Sequence, residues 1–422
     1  MALFDFARIR RGFYTDAYFT NIRILLERLS KEGYLFSGIS PIEELARLNT
    51  SDFEAGDAEV EMQFFHKRDE AVTCGIKHCL TVLEECTGYF KSNKFVKKFD
   101  TLEIDAIEDG ELSYNRKPVL KIRGVYRYFG YLETVLLGLL ARQTRVATNA
   151  YRFLKASKGK PVLFFAGRFD LPQAQALDGE AYFVGVNAYN RNFKAKVTPI
   201  VATPAQAYLW KGKASGTTAH ALMMVFLRDT VEAMVQFAKI IPREVLRIAL
   251  VDSNNDCVGD TAKVAEAFFE NFWFLKTQRR YKEAELYRLN GVRADTAEDV
   301  VDVSLQPDGE PGVTPALTRK MRETLDSLSS KLGYTDEKKK AADEYFRSVK
   351  IVASGGFNES KLERFEREDG KVDYYGIGSA FLKEGITDFT ADVVRVKIGK
   401  EFYPVAKVGR GPWRNPALRR IK

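Results

Sequence analysis

Beyond Lys160 the chain alternates between short apolar runs and longer stretches with helical spacing. Residues 161–165, 181–186, 207–211, 246–252, 286–292, 349–353 and 372–376 read as strands, and 222–240, 261–274, 315–332 and 360–366 as helices. Strands that alternate with helices predict parallel crossover units in an α/β fold. A short motif bearing glycine or charge follows most of the runs: Phe165-Ala-Gly-Arg168, Gly216-Thr-Thr-Ala-His220, Asp252-Ser-Asn-Asn-Asp256, Gly291-Val-Arg-Ala-Asp295, Ser354-Gly-Gly356 and Gly376-Ile-Gly378. Functional-looking residues after nearly every strand predict a (β/α) barrel rather than an open sheet with one switch point. Gln306-Pro-Asp-Gly-Glu-Pro-Gly312 reads as a surface loop.

The first part of the chain has a different texture. A helix is expected around 20–29 and strands at 58–65 and 102–106, with a turn at Glu108-Asp-Gly110 before a returning strand at 119–126. From Leu132 apolar residues occupy more than one helical face, so a largely buried helix hands the first domain to the second. The expected division is 1–130 as an N-terminal α/β domain, 131–385 as the barrel, and 386–422 as a segment that folds back on the first domain.

Composition narrows the partners. A chain of 422 residues, 45% apolar and 12% aromatic, can bury a large core. The formal charge of +8, from 65 basic and 57 acidic residues, is modest and spread along the chain. It suits a small anionic ligand, and without an RNP-like motif, finger spacing or a long basic block no nucleic acid is expected. Cys74, Cys79, Cys86 and Cys257 form no Cys-x-x-Cys pair; the first three read as buried in a helical stretch, and without a disulfide framework a reducing compartment is expected. No apolar run approaches the roughly 18 residues of a membrane span, and the N-terminus lacks a leader pattern, so a cytoplasmic protein is expected.

Several residues carry candidate chemistry. Arg293 and Asp295, two apart at a strand end, leave the same face; Arg offers a fork to phosphate or carboxylate, and Asp a ligand for a ribose hydroxyl or Mg²⁺. A mutual surface ion pair is the alternative. The Gly355–Gly356 and Gly376–Gly378 turns could bring backbone N–H groups to a phosphate, or serve only as turns. His220, after the turn containing Thr217, opens an apolar helix; there it could meet an anion, accept a phosphoryl group, or simply start the helix. His66 and His78 read as structural. Zinc is not expected, because no His-x-x-x-His or Cys/His cluster occurs. The aromatic Tyr14-Thr-Asp-Ala-Tyr-Phe19 reads as core or as a ring-binding face.

Taken in order, Thr15-Asp-Ala-Tyr-Phe19, Tyr131-Leu-Glu-Thr-Val-Leu-Leu137 leading to Arg145-Val-Ala-Thr-Asn149, Phe165-Ala-Gly-Arg168, Gly216-Thr-Thr-Ala-His220, Leu250-Val-Asp-Ser253, Gly291-Val-Arg-Ala-Asp295, Ala353-Ser-Gly-Gly356 and Tyr375-Gly-Ile-Gly378 resemble the nicotinate phosphoribosyltransferase family. The resemblance implies a type II phosphoribosyltransferase with an α/β sandwich domain, formed by the N-terminal region and the C-terminal tail, beside an irregular (β/α) barrel, commonly a homodimer with shared active sites. It would join nicotinate to phosphoribosyl pyrophosphate (PRPP), with ATP as co-substrate through a phosphohistidine and Mg²⁺ as cofactor. On this resemblance His220 would be the phosphorylated residue, and Phe165 and Tyr18, the latter from a neighbouring subunit, would sandwich the pyridine. Thr217 would touch substrate, and Arg168 and Arg293 would hold pyrophosphate or the nicotinate carboxylate. Asp252 and Asp295 would take Mg²⁺ or ribose, and Gly355, Gly356, Gly376 and Gly378 the 5′-phosphate. Nicotinamide or quinolinate as the base, and a non-catalytic PRPP-binding homologue, are the alternatives.

Overall fold

Burial on both faces marks the central strand of the first sheet. In the strand Glu59–His66, Val60, Met62 and Phe64 point to one face and are nearly inaccessible, as a two-residue period requires. The computed structural model describes residues 3–40, 43, 48–385 and 387–422. Within these, the chain divides into two compact units, Met1–Thr148 with Gly385–Lys422, and Asn149–Glu384. The first division falls inside the helix Glu133–Ala156 rather than ahead of it at residue 131.

In the first unit six antiparallel strands run in the order Glu401–Pro404, Phe389–Ile398, Glu59–His66, Leu120–Val125, Glu103–Ala106, Arg419–Arg420. The C-terminal segment therefore supplies strands to the sheet of the N-terminal region. Helix Ile76–Cys86 covers it with Ile76, Cys79, Val82, Leu83 and Cys86, joined by Leu132, Leu136 and Leu140. The four cysteines are buried free thiols. On this sheet Glu61 is fully buried, with Arg123 at 2.6 Å, Arg395 at 3.0 Å and Lys121 at 3.4 Å. Burial raises its carboxyl, but the Arg123 hydrogen bond and the three positive charges outweigh that and hold it below the ordinary value.

The second unit is built on five parallel strands in the order Val162–Phe164, Tyr374–Ile377, Lys350–Ala353, Gly291–Ala294, Ile248–Leu250. Single parallel bridges extend it from Phe164 to Val201 and on to Ala214. Four residues later Thr218 meets the opposite edge through its side chain, donating to Ile248 O at 2.9 Å and accepting from Leu250 N at 3.1 Å. The α/β class expected from the sequence is present. Among the described residues, backbone pairing does not close the sheet into a barrel.

Two expected strands are absent. Residues 181–186 lie inside helix Gln175–Phe193, where the buried positions Asp178, Ala181, Tyr182, Gly185, Val186 and Tyr189 follow a helical period. Tyr182 stacks on Phe164 at 5.0 Å and donates to Val162 O at 2.7 Å, so this helix packs against the first strand. Residues 207–211 follow a capped turn, Pro204–Ala207, instead of forming a strand. The expected strand at 286–292 begins only at Gly291. The expected helix at 222–240 is two, His220–Val225 and Thr230–Ile240, interrupted where Leu227 and Arg228 take φ of 53° and 68°. Helix Asp336–Ser348, polar over most of its surface, was not expected.

Arg247 fixes the end of helix Thr230–Ile240. Only 2% exposed, it donates to Ile241 O and Pro242 O at 2.8 Å each, to Arg243 O and Leu286 O at 3.2 Å each, and to Val245 O and Ala238 O. These carbonyls include orphans of a helix C-terminus, whose partial negative charge suits a cation. Arg247→Met keeps volume but strands the carbonyls, and is expected to destabilise the protein by about 3 kcal/mol. Urea unfolding measures this; a loss below about 1 kcal/mol contradicts it.

A pH dependence follows from Glu133. Burial, then Asp392 and Asp16, push its carboxyl up to about 8 from an ordinary 4.5. An acid whose folded pKa is raised contributes stability below its unfolded pKa and loses it as pH rises through the folded one. Melting temperature should fall from about pH 4.5 to about pH 8 and level off above it, and Glu133→Gln should flatten that fall. An equal fall in the variant would show that Glu133 is not its source.

Candidate active site

Parallel strands deliver their C-terminal ends to one edge of the sheet. Arg293 is in register with Leu250 on one side and Val352 on the other, and Gly376 with Leu163. The loops beyond these ends enclose a cavity of about 620 Å³, lined by Phe165, Arg168, Phe169, Thr217, His220, Arg293, Asp295, Ser354, Gly355, Gly356, Gly376 and Gly378, among others. All candidate residues of the second unit converge here except Asp252, which stands behind His220. Tyr18 belongs to the first unit, where its side chain is 57% exposed and its ring packs 4.5 Å from that of Phe19.

His220 Nε2 lies 2.8 Å from Asp252 Oδ2, with the imidazole 45% exposed and the carboxylate 8%. A buried acid behind an open imidazole orients it. Burial pushes the Asp252 carboxyl up, the His220 bond and charge pull it down, and Asp295 raises it, leaving it above the ordinary value. Its Oδ1 is buried with no hydrogen-bond partner among the described residues. The helix that His220 opens spans only His220–Val225, so it offers little of the dipole expected from a longer one.

Arg293 is the buried cation of the cavity, with 12% of its side chain exposed. It donates to Thr217 Oγ1 at 2.5 Å, pairs with Asp295 Oδ2 at 3.4 Å, and lies 5.8 Å from the centre of the Phe165 ring. Burial lowers its pKa, against the charges of Asp295 and Asp252. The Arg293–Asp295 ion pair exists, but it lines a cavity rather than decorating a surface. Asp295 Oδ1 accepts from Ser354 Oγ at 2.8 Å, which ties adjacent strand ends together.

The glycines turn out to serve neighbouring side chains as well as the open cavity. Gly355 and Gly356 take φ of 91° and 61°, where a side chain is strained. A Cβ on Gly356 would collide with the Glu298 carboxylate, and one on Gly376 would stand 2.8 Å from the Phe165 ring. One on Gly378 would collide with Phe169. The space beside Gly376 and Gly378 is thus occupied by aromatic rings, which the reading of bare phosphate turns did not anticipate.

Sequence reasoning also missed Phe169, Ser354, Glu298 and Lys361 as parts of this site. Lys361 Nζ donates to Gly355 O at 2.8 Å and sits 4.7 Å from the Phe357 ring centre, bracing the glycine turn from behind. Burial pushes its pKa down, while Glu298 pulls it back. Its only sequence signal was the Asn358 cap three residues earlier, which fixes the start of helix Glu359–Arg367.

Two guanidiniums can grip planar oxyanions, carboxylates can accept sugar hydroxyls, and aromatic walls can hold a flat ring. Among the described residues no group of three or more His, Cys, Asp or Glu side chains could hold a metal ion unaided. Nor is any described helix long and apolar enough to cross a membrane.

Residues 16–144 match the family model for the N-terminal domain of quinolinate phosphoribosyl transferase. The chain is 26% identical over 308 residues to a nicotinate phosphoribosyltransferase of Mycobacterium tuberculosis, covering 72% of this chain and 55% of that one. With the Bacillus subtilis nicotinate phosphoribosyltransferase it shares 22% identity over 282 residues, 66% of this chain and 45% of the other. The chain thus spans about half the length of these curated relatives. The crystal structure of nicotinate-nucleotide pyrophosphorylase from Pyrococcus furiosus superposes with a TM-score of 0.67 at 26% identity, covering 97% of this chain and 80% of that one. Human nicotinic acid phosphoribosyltransferase shares the fold, with a TM-score of 0.55 at 17% identity over 81% of this chain and 71% of that one. Motif order, relatives and backbone point the same way: the chain is similar in sequence to nicotinate phosphoribosyltransferases and shares a phosphoribosyltransferase fold.

Proposed function

We propose that the protein transfers the phosphoribosyl group of PRPP to nicotinate, forming nicotinate mononucleotide and pyrophosphate in cytoplasmic salvage toward NAD. The observation that carries this reading is the linked set Thr217–Arg293–Asp295–Ser354, held across three loops and opening on one cavity with Arg168 and His220. In the reaction the bond from C1 of the ribose to the pyrophosphate oxygen breaks, and the pyridine nitrogen lone pair forms the new bond to C1. The ring nitrogen of nicotinate carries no proton, so no general base is required. Positive charge grows on the ribose and negative charge on the leaving group, which calls for fixed charges and positioning. Arg168 and Arg293 meet pyrophosphate or the nicotinate carboxylate, Asp295 the ribose, and the Gly355–Gly356 turn the 5′-phosphate, with the Gly376–Gly378 segment beside it.

A Mg²⁺ ion carried by pyrophosphate would be held by Asp295, which lines the cavity, and by Asp252, since such ions take one or two carboxylates and complete their shell with phosphate oxygens and water. Bound there, it would neutralise charge on the leaving group. His220 is the acceptor for the γ-phosphoryl of ATP: Nε2 is turned to Asp252, which leaves Nδ1 to attack phosphorus as the bond to the β-phosphate oxygen breaks. The same reading closes the sheet into an irregular barrel through residues 201–218, and assembles a homodimer in which Tyr18 of a second copy approaches the base. Quinolinate is the second reading, favoured by the family model over residues 16–144. A second carboxylate would ask for more cations than the two guanidiniums lining the cavity.

Purified protein given PRPP, Mg²⁺ and nicotinate should form the mononucleotide, faster with ATP, and should leave nicotinamide and quinolinate largely unreacted. Product from quinolinate alone would overturn the substrate assignment. His220→Ala should remove the ATP stimulation and keep slower basal transfer; ATP stimulation that survives takes His220 out of the coupling. Arg293→Lys, which keeps the charge but loses the fork, should lower kcat/KM by roughly a hundredfold. A change under threefold would show that Arg293 does not contact the transition state.

A further inference from the structure

We propose that a second cavity of the same unit binds a small apolar carboxylate and is coupled to the candidate active site through Phe165 and Thr217. This cavity, of about 350 Å³, lies toward the N-terminal ends of the parallel strands, against the sheet face whose other end lines the first cavity. Side chains two apart on a strand share a face. Lys350 and Val352 line the second cavity and Ser354 the first; Tyr374 lines the second, and Gly376 and Gly378 the first. The volume falls within the range of about 300–1,000 Å³ usual for ligand pockets.

Its chemistry differs from that of the first cavity. Leu163, Ile200, Leu246, Ile248, Leu289 and Val352 form an apolar wall, with Leu246 44% exposed at the N-terminal side. Hydrogen-bond donors stand at that same side. Arg288 spends Nε and Nη2 on Glu285 and keeps Nη1; Lys350 meets Asp373 at 3.0 Å and keeps its remaining N–H groups; Asn290 accepts from Arg247 N through Oδ1 at 2.7 Å and keeps Nδ2. An apolar body ending in oxygen acceptors matches this lining, and two cations among the donors favour a carboxylate over a neutral head.

Phe165, Gly216 and Thr217 line both cavities and form the partition between them. Arg293 holds two of the three from the first cavity, donating to Thr217 Oγ1 at 2.5 Å and lying 5.8 Å from the Phe165 ring centre. An occupant of the second cavity therefore touches the far side of the groups that orient this guanidinium. The coupling rests on the reading that Arg293 meets a substrate oxyanion; the site itself does not.

Calorimetric titration with octanoate as the probe tests the site. One molecule should bind per chain with a Kd below about 1 mM, and octanol, which lacks the charge, should bind about tenfold more weakly. Leu246→Trp, at an exposed position, should block entry and weaken octanoate by about tenfold or more. Lys350→Met should weaken octanoate severalfold and leave octanol unchanged. No saturable binding, or equal octanoate affinity in Leu246→Trp, overturns the site; octanol binding as tightly as octanoate, or an unaltered octanoate Kd in Lys350→Met, overturns the carboxylate assignment. For the coupling, saturating octanoate should change the Kd of PRPP by about threefold or more, and PRPP should change that of octanoate by the same factor, as linkage requires. An unchanged PRPP Kd overturns the coupling. If PRPP does not bind the wild type, the proposed reaction fails while the octanoate titrations still decide the second site, and the coupling is read with inorganic pyrophosphate.

Discussion

Parallel pairing of five short strands is the constraint on which this site depends. Because all five run the same way, their C-terminal ends share one edge, and residues from Phe165 to Ser379 meet around a single cavity. Antiparallel pairing would send alternate loops to the opposite edge. The helices between strands satisfy the crossover and supply burial, as Tyr182 does against Phe164. Thr218 adds a side-chain link to the far edge strand and so holds the loop that carries Thr217 and His220.

The chemistry of the cavity comes from charges held where water is scarce. Arg293 is buried between Thr217 and Asp295, and Asp252 is buried behind His220. Electrostatic interactions strengthen in such surroundings, and the partners are already oriented before any ligand arrives. Lys361 and Ser354 do not need to touch a substrate to matter. They lock the Ser354–Gly356 turn to its neighbours, so its backbone keeps one shape.

Much of this was legible in the chain, because strand ends that carry Arg, Asp or paired glycines break an apolar run abruptly. The strands at 350–353 and 374–377 and the residues after them stood out for that reason. The segment Ala-Tyr-Phe-Val-Gly-Val at 181–186 misled because aromatic and β-branched residues favour strands locally, while its helical period emerges only across Gln175–Phe193. Phe169 was missed because Arg-Phe-Asp after a Gly reads as an exposed loop; its role depends on a glycine more than two hundred positions away. For the same reason the glycines were read as open approaches to phosphate, when Phe165 and Phe169 fill the space beside two of them. The link from Phe164 toward the far edge strand was also hidden, since it runs through single bridges and one threonine hydroxyl.

Every role proposed for the cavity depends on PRPP binding there. A crystal structure of the protein with PRPP measures that directly, and should place the 5′-phosphate within hydrogen-bond distance of backbone N–H groups of the Gly355–Gly356 turn, with pyrophosphate oxygens toward Arg168 or Arg293. Saturating PRPP held elsewhere, with this cavity empty, would contradict it.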